Sequence, residues 1–526
     1  MLVEDLNQLK GFLKKGGRTI VIGSGAMGLY TANELVKRGK QVLVIESGGT
    51  ILGGFPSTSY SSIGMKHDGI KNGRSRTLGG TTNLWGGQLA EFQPIDFSGR
   101  DWMPESAWPV LFNEIEPYYR LTYENLGIEH EYQNDDKVCK SVLGEKPKFS
   151  EGIEFFLTRW LKIPNFADYY RKQISGNPNF QVLINHTVVG FDSIGEQITT
   201  VKVSDHKRQV HKINGDIIVV AAGTIETARL LLHSASETNW ACPWRHNKNI
   251  GARFHDHLGG RVAYVYPYNT KRFFENFCTI VFRNHKFQPK IRLNNEIIKA
   301  DRLLSIHGMF TFESSVSENL TYLKQFVKAA IYRRNFSDLR YLPSNLFACG
   351  KYLLPLIWKY VYDHRIFVPS KSRISLMIQA EQTPCKESRI TIDPSVIDEN
   401  GLPRVILDWQ FFEEDLLAIK QFTVRADLAL RKAGLAQLKI IDDLYEEEPS
   451  FMQSLHDTYH QSGGVLMGTS DRNGVVNRNL KVFGTENLYV AGSSTFRTGS
   501  GANSVFTALA FATRLVDHLT SNNEPN

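Results

Sequence analysis

Ten residues constrain this chain more than any others. Thr19-Ile20-Val21-Ile22-Gly23-Ser24-Gly25-Ala26-Met27-Gly28 is an apolar run that breaks into the pattern G-x-G-x-x-G. Thr19 to Ile22 is β-branched throughout and reads as a buried strand, while Leu29 to Lys37 carries apolar residues at helical spacing. In the turn between them Gly23 permits the tight bend, Gly25 lets a pyrophosphate approach the backbone, and Gly28 lets the helix pack close to the strand. A second strand, Gln41 to Ile45, ends in Glu46, 18 residues after Gly28, where a carboxylate can accept both hydroxyls of a ribose. Three glycines at fixed spacing are a weak signal alone. Strand, turn, helix, strand and acid within residues 18 to 46 predict a dinucleotide-binding α/β unit.

The rest of the chain must complete that unit. With 526 residues it exceeds what a single core organises, and two domains, discontinuous in sequence, are expected. A formal net charge of +7 is modest at this size and predicts no nucleic-acid binding. Five scattered cysteines without a Cys-x-x-Cys pair argue against a disulfide framework or zinc site and for a reducing compartment, so a cytoplasmic protein is expected. Met1 to Gly17 is basic and mildly amphipathic without an apolar core of signal-peptide length. It reads as a packed terminal helix, with membrane docking as the alternative.

Further along, Ser47 to Arg76 is loop-like and leads into Leu78-Gly79-Gly80-Thr81-Thr82-Asn83-Leu84-Trp85-Gly86-Gly87. This is either a flexible loop or a backbone laid flat against a planar ring, since glycine permits close approach and Thr and Asn can bond a heterocycle edge. Residues 96–132 look helical, with Trp102, Trp108, Tyr118, Tyr119 and Tyr123 as packing residues. Ile217 to Ala222, ending at Gly223, and Asn487 to Val490, ending at Gly492 and Ser493, repeat the strand-glycine-helix logic and belong in the same parallel sheet. Alternation at Arg261 to Tyr266, Arg373 to Ala380 and Arg389 to Asp393 predicts an antiparallel sheet elsewhere. The expected organisation is a Rossmann-like α/β domain from 17–95, 180–260 and 452–526, a helical connection at 96–179, and an inserted α+β substrate domain at 261–451. Residues 322–373, apolar and basic, read as a lid or as a membrane or partner patch.

The chain resembles the glucose-methanol-choline (GMC) family of flavin-dependent oxidoreductases. The resemblance rests on Gly23 to Gly28 with Glu46, Gly79-Gly80-Thr81-Thr82, Ala221-Ala222-Gly223, Asn249-Ile250-Gly251 through Asp256-His257, Glu381-Gln382-Thr383-Pro384 with Ser388-Arg389, and most of Tyr459 to Leu519. Gly79 to Gly87 is similar to the branch acting on pyranose sugars and polyols. The resemblance implies FAD at the glycine fingerprint, Glu46 on the adenosine ribose, Gly79 to Asn83 along the isoalloxazine, Val189 against adenine, and Gly492 and Ser493 near the pyrophosphate. It also brings Ala26, Met27, Ser47, Ala222, Gly223, Asn503 and Ser504 into the cofactor-binding set. Some sugar oxidases of the family bind flavin covalently through a His in the Gly-Gly-Thr-Thr segment; this chain has none there, so non-covalent FAD is expected.

The family's catalytic pair falls on His460 and Asn503, and their chemistry fits. Oxidising an alcohol by hydride transfer requires removing the hydroxyl proton as hydride leaves the same carbon, a task for an imidazole. Asn503 offers an amide donor and acceptor that can hold the hydroxyl without competing for the proton. A lone histidine among 15 is usually a satisfied core or surface residue, and His257 and His456 are placed in that class. Trp85, Glu381 and Tyr459 are candidate substrate contacts, Glu381 alternatively pairing with Arg389. The expected activity is FAD-dependent oxidation of a hydroxyl of a sugar, cyclitol or sugar-containing intermediate, with the electron acceptor open. A sterol or aliphatic alcohol, or a non-redox flavoprotein at a membrane, are the alternatives.

Overall fold

In the computed structural model the described residues are all but 14–15, 55–56, 315–318, 320–321, 323–338, 351–354, 356–357, 360–361, 445–449 and 522–526. Around the glycine fingerprint six parallel strands run in the order Leu2–Val3, Phe180–Leu183, Gln41–Ile45, Arg18–Ile22, Ile217–Val220 and Leu488–Val490. Their runs are apolar because both faces are covered: every residue of Arg18–Ile22 is buried. The helix Ala26–Lys37 covers one face beside Ser504–Thr520 and Phe112–Asn125. Hydroxyls stitch these helices together: Tyr30 Oη lies 2.7 Å from Thr513 Oγ1, Tyr119 Oη 2.7 Å from Thr507 Oγ1, and Thr122 Oγ1 2.8 Å from Thr513 Oγ1.

The strand order turns back on itself beside Arg18–Ile22, because one crossover leads to Gln41–Ile45 and the other side is taken by Ile217–Val220. Three glycine turns, after Ile22, Val220 and Val490, therefore open at the carboxyl ends of adjacent strands, where α/β sheets bind ligands. The chain's start differs from expectation. Leu2–Val3 is a strand pairing with Val182 and Leu183, and only Lys10–Leu13 behind it forms a short α-helix. The exposed side chain of Leu2 and the buried one of Val3 fit an edge strand.

A second, antiparallel sheet lies over these turns. Its main path is Ala436–Ile440, Leu258–Pro267, Arg373–Ala380, Ile306–Glu313, His285–Leu293, Ile153–Trp160 and Gln88–Leu89. Helix Leu416–Lys432 packs on one face, and the other carries Gln88, Trp160 and Gln379 towards the glycine turns. Two expectations are corrected. Residues 96–179 are not purely helical, since Ile153–Trp160 is a strand paired along its length with His285–Leu293. Arg389–Ile397 belongs to a separate three-stranded sheet with Pro403–Trp409 and the distant Tyr60–Gly64. Of the lid expected at 322–373, residues 323–338, 351–354, 356–357 and 360–361 lie outside the described residues. Among those described, no helix is long and apolar enough to cross a membrane.

Candidate active site

A cavity of about 630 Å³ runs from Glu46 past the three glycine turns to His460 and Asn503. That volume is in the range of small-molecule and cofactor sites. Gly23, Gly25, Ala26, Met27, Glu46, Ser47, Gly80, Thr81, Thr82, Trp85, Ala222, Gly223, Tyr459, His460, Gly492, Ser493, Asn503 and Ser504 all line it.

Its dinucleotide end is built from backbone. Helix Ala26–Lys37 begins at Gly25 with no side-chain cap, so its first N–H groups point at the cavity, where the helix dipole favours an anion. At Gly25 and Gly223 the space a Cβ would occupy is open, which leaves room for a ligand against the main chain. Glu46 is buried beside this turn. Its carboxylate accepts from Ser24 N–H at 2.9 Å, Ser24 Oγ at 2.7 Å and Gly48 N–H at 2.8 Å. Burial pushes its pKa up against those hydrogen bonds. Ser24, an unspecified position of the fingerprint, thus aims the acid; nothing in the pattern pointed to it. This cradle of uncapped N–H groups, open glycine faces and a positioned acid fits FAD.

Five sequence candidates stand off the cavity wall. Gly28 is a packing residue: a Cβ there would lie 1.9 Å from the Gly23 carbonyl oxygen, so only glycine allows the helix this close. Gly79 and Asn83 shape the flat loop from behind. Asn83 Nδ2 donates to the carbonyls of Leu78 and Gly80 at 3.0 and 2.8 Å while its Oδ1 accepts from Asn165. Val189 is replaced by Val188, because the register slips between Val188 and Gly190 and the bulge turns Val188 to the cavity. Glu381 faces away. Arg100 donates to its two oxygens at 2.7 and 2.8 Å, with both side chains fully buried. Arg100, and not Arg389, is its partner.

At the other end His460 and Asn503 meet. Asn503 Nδ2 lies 2.8 Å from His460 Nε2. His460 stands three residues beyond the two-residue strand His456–Asp457, and Asn503 is the N-cap of helix Ser504–Thr520. Both are preceded by strained backbone: Tyr459 has φ 63° and Ser500 φ 56°. Non-glycine residues hold such angles where surrounding contacts over-determine them. Ser500 is pinned by its N–H to Glu381 Oε1 at 3.1 Å and its Oγ to Asp96 Oδ2 at 2.6 Å.

Sequence reading left His257 among ordinary buried histidines, and the structure corrects this. It is buried, yet its Nδ1 lies 3.1 Å from His460 Nδ1. Asp256 organises both rings. Its Oδ1 accepts the backbone N–H of His257 at 2.7 Å, of His460 at 2.9 Å and of Thr458 at 3.3 Å, and its Oδ2 lies 3.2 Å from His67 Nε2. Burial alone would raise the Asp256 pKa, but the hydrogen bond and charges of the neighbouring histidines hold it low. His67, Asp256 and Asp457 are close enough to share a metal ion. Their oxygens already serve as acceptors, however, Asp457 from the N–H groups of Asp68 and Gly69 at 2.7 and 2.9 Å, so the cluster works as a clamp on the two loops. His460 itself has its pKa pushed down to about 3, by burial first and then by His257 and Lys290, against the pull of Asp256.

The sequence pattern of FAD-dependent oxidoreductases matches residues 18–292, more than half the chain, and that of the GMC oxidoreductase C-terminal region matches residues 384–512. The chain belongs to the GMC oxidoreductases. It is a flavin-dependent enzyme that uses FAD to oxidise hydroxyl groups. Among similar curated proteins, 6'''-hydroxyparomomycin C oxidase of Streptomyces lividus is 21% identical over 94% of this chain and 89% of its own length. The 2-methyl-1,2-propanediol dehydrogenase of Mycolicibacterium austroafricanum is 21% identical over 95% of this chain and 94% of its own. Among solved structures, pyridoxine 4-oxidase from Mesorbium loti shares the fold with a TM-score of 0.57 at 15% identity, covering 95% of this chain and 98% of that one.

Proposed function

We propose that this GMC enzyme oxidises a hydroxyl of a polyhydroxylated substrate, a sugar, cyclitol or sugar-containing intermediate, with His460 as base and Asn503 as the anchor of the reacting hydroxyl. The observation that carries the reading is the contact of Asn503 Nδ2 with His460 Nε2 on the cavity wall. It puts a lone-pair nitrogen and an amide at one point, and a hydroxyl entering there meets both. FAD, held by the glycine turns, supplies the hydride acceptor.

The lowered basicity of His460 says when the proton moves. So weak a base does not deprotonate a free alcohol. It becomes competent as the carbinol turns into a carbonyl and its hydroxyl proton grows strongly acidic, so the proton leaves with or after the hydride and not before it. Asn503 Oδ1 is buried with no hydrogen-bond partner of its own. An amide oxygen without a donor next to the base suits a hydroxyl-bearing ligand. Above the cavity Gln88, Trp160 and Gln379 form a mostly polar roof, Gln88 Nε2 donating to Gln288 Oε1 at 2.8 Å. That roof favours polyols over sterols. Among relatives, the two named above act by their names on an aminoglycoside and on a diol, which supports the same reading.

The test is anaerobic flavin reduction across a panel of polyols, sterols and simple alcohols. Polyols should bleach the flavin, and His460→Ala should keep bound FAD while slowing that reduction by at least about a hundredfold. An unchanged rate in the variant would remove His460 as base.

A further inference from the structure

Which nitrogen of His460 carries hydrogen decides whether it can act as a base towards the cavity, and a second histidine makes that choice. His257 Nε2 lies 3.0 Å from the Gly499 carbonyl oxygen. A carbonyl only accepts, so Nε2 bears the hydrogen and a neutral His257 presents a lone pair at Nδ1. Burial lowers the His257 pKa below the ordinary imidazole value, outweighing the Gly499 hydrogen bond and the nearby carboxylates, which keeps the ring neutral.

That lone pair faces His460 Nδ1 at 3.1 Å. Two lone pairs at this separation repel, whereas a hydrogen on His460 Nδ1 bonds. Thr458 Oγ1 also lies 2.8 Å from His460 Nδ1, but a hydroxyl can donate or accept and so fits either tautomer. His257 fits only one, because the Gly499 carbonyl has already fixed its own hydrogen. On the far side of the His460 ring the amide of Asn503 donates to Nε2 at 2.8 Å, in keeping with a lone pair there. The two rings hold this relation through Asp256, whose one oxygen takes the backbone N–H of both.

We propose that His257 is a positioning residue that fixes His460 in its Nδ1–H tautomer, with the Nε2 lone pair turned to Asn503 and the reacting hydroxyl. The proposal rests on His460 being the base. When Nε2 takes the hydroxyl proton, the ring becomes an imidazolium and its Nδ1–H bonds more strongly to His257. The chain then ends at a peptide carbonyl, which accepts a hydrogen bond and not a proton. The proton stays on His460 until it leaves through the cavity.

The experiment reads the tautomer directly, by [15N]histidine NMR on the FAD-loaded protein with His460 assigned from a His460→Asn variant. The expected spectrum shows hydrogen on Nδ1 and none on Nε2; hydrogen on Nε2, or an even mixture, overturns the proposal. His257→Leu should mix the tautomers and slow flavin reduction at saturating substrate by about 10- to 100-fold, part of what a placed base supplies, with KM unchanged. His257→Asn, whose amide oxygen can stand in for Nδ1, should restore most of both. A His257→Leu protein with wild-type tautomer and rate overturns the proposal, and if that variant does not fold the wild-type spectrum decides. The tautomer is read without turnover, so a substrate panel that fails to bleach the flavin counts against His460 as base and leaves the His257 result standing.

Discussion

Asn503 occupies the position from which an asparagine ordinarily caps its helix, yet its side chain makes no cap hydrogen bond to Ser504–Thr520. A missing cap of this kind typically costs about 1 kcal/mol. The amide is turned instead to His460, and that departure from local preference is a better mark of function than either residue type alone. The pH behaviour follows from the same contact. The His460 pKa is lowered, so the neutral form that the proposed base requires persists at every pH above about 3, and stopped-flow flavin reduction should stay flat between about pH 8 and pH 5 where an ordinary histidine would lose half its activity near pH 6.5. An acid limb centred near 6.5 that vanishes in His460→Ala would show the base to be ordinary. The two positions were legible in the sequence because both fall in family motifs, and the structure adds that their side chains meet. His257 also falls in a motif, the run through Asp256-His257, but that pattern has no spacing that tells a ring partner from a core residue. Val189 misled for a related reason, because a one-residue bulge reverses which side chain faces inward and leaves no trace in the residue pattern.

Between elements, the loop Gly499 to Asn503 is held at almost every residue. His257 Nε2 takes the Gly499 carbonyl, Glu381 and Asp96 take Ser500, and His307 Nδ1 takes the Gly501 carbonyl. His307 is held in turn by Lys290, whose Nζ lies 2.9 Å from its Nε2 and whose burial pushes its pKa down to about 7. The antiparallel sheet thereby fixes a loop that the parallel sheet delivers. The fingerprint works by the opposite device, close packing without side chains. Gly28→Ala places a Cβ 1.9 Å from the Gly23 carbonyl oxygen, which no rotamer relieves. That variant should lose roughly 1–3 kcal/mol or more of stability and release FAD on gel filtration; a variant that purifies yellow and melts like wild type would show the helix free to move. The parallel strands were legible because burial on both faces makes them continuous apolar runs between glycines. Ile153–Trp160 was not, since it stands between helices and pairs with Gln88–Leu89 and His285–Leu293, both distant in sequence. Such pairing is tertiary and leaves little local signature.

Across the whole molecule, the ion pair of Arg100 with Glu381 joins the segment after Phe97 to the antiparallel sheet and to the active-site loop. Glu381 also accepts the N–H groups of Ser305 and Ser500, each at 3.1 Å. Burial would raise its pKa, but Arg100 holds it charged, while Asp96 beside it is pushed up by burial and by Glu381. A buried pair adds little net stability over apolar residues, but removing one partner strands the other charge at a cost of about 3–5 kcal/mol. Glu381→Gln should therefore lower the unfolding free energy from a denaturant titration by that much, and adding Arg100→Met should recover part of the loss, since the double variant leaves no unpaired guanidinium. The carboxylate faces Arg100 and not the cavity, so the KM for a polyol should stay near wild type in whatever fraction of Glu381→Gln folds. A raised KM at unchanged stability would mean that Glu381 reaches substrate after all, and that Arg100 holds it ready for the ligand.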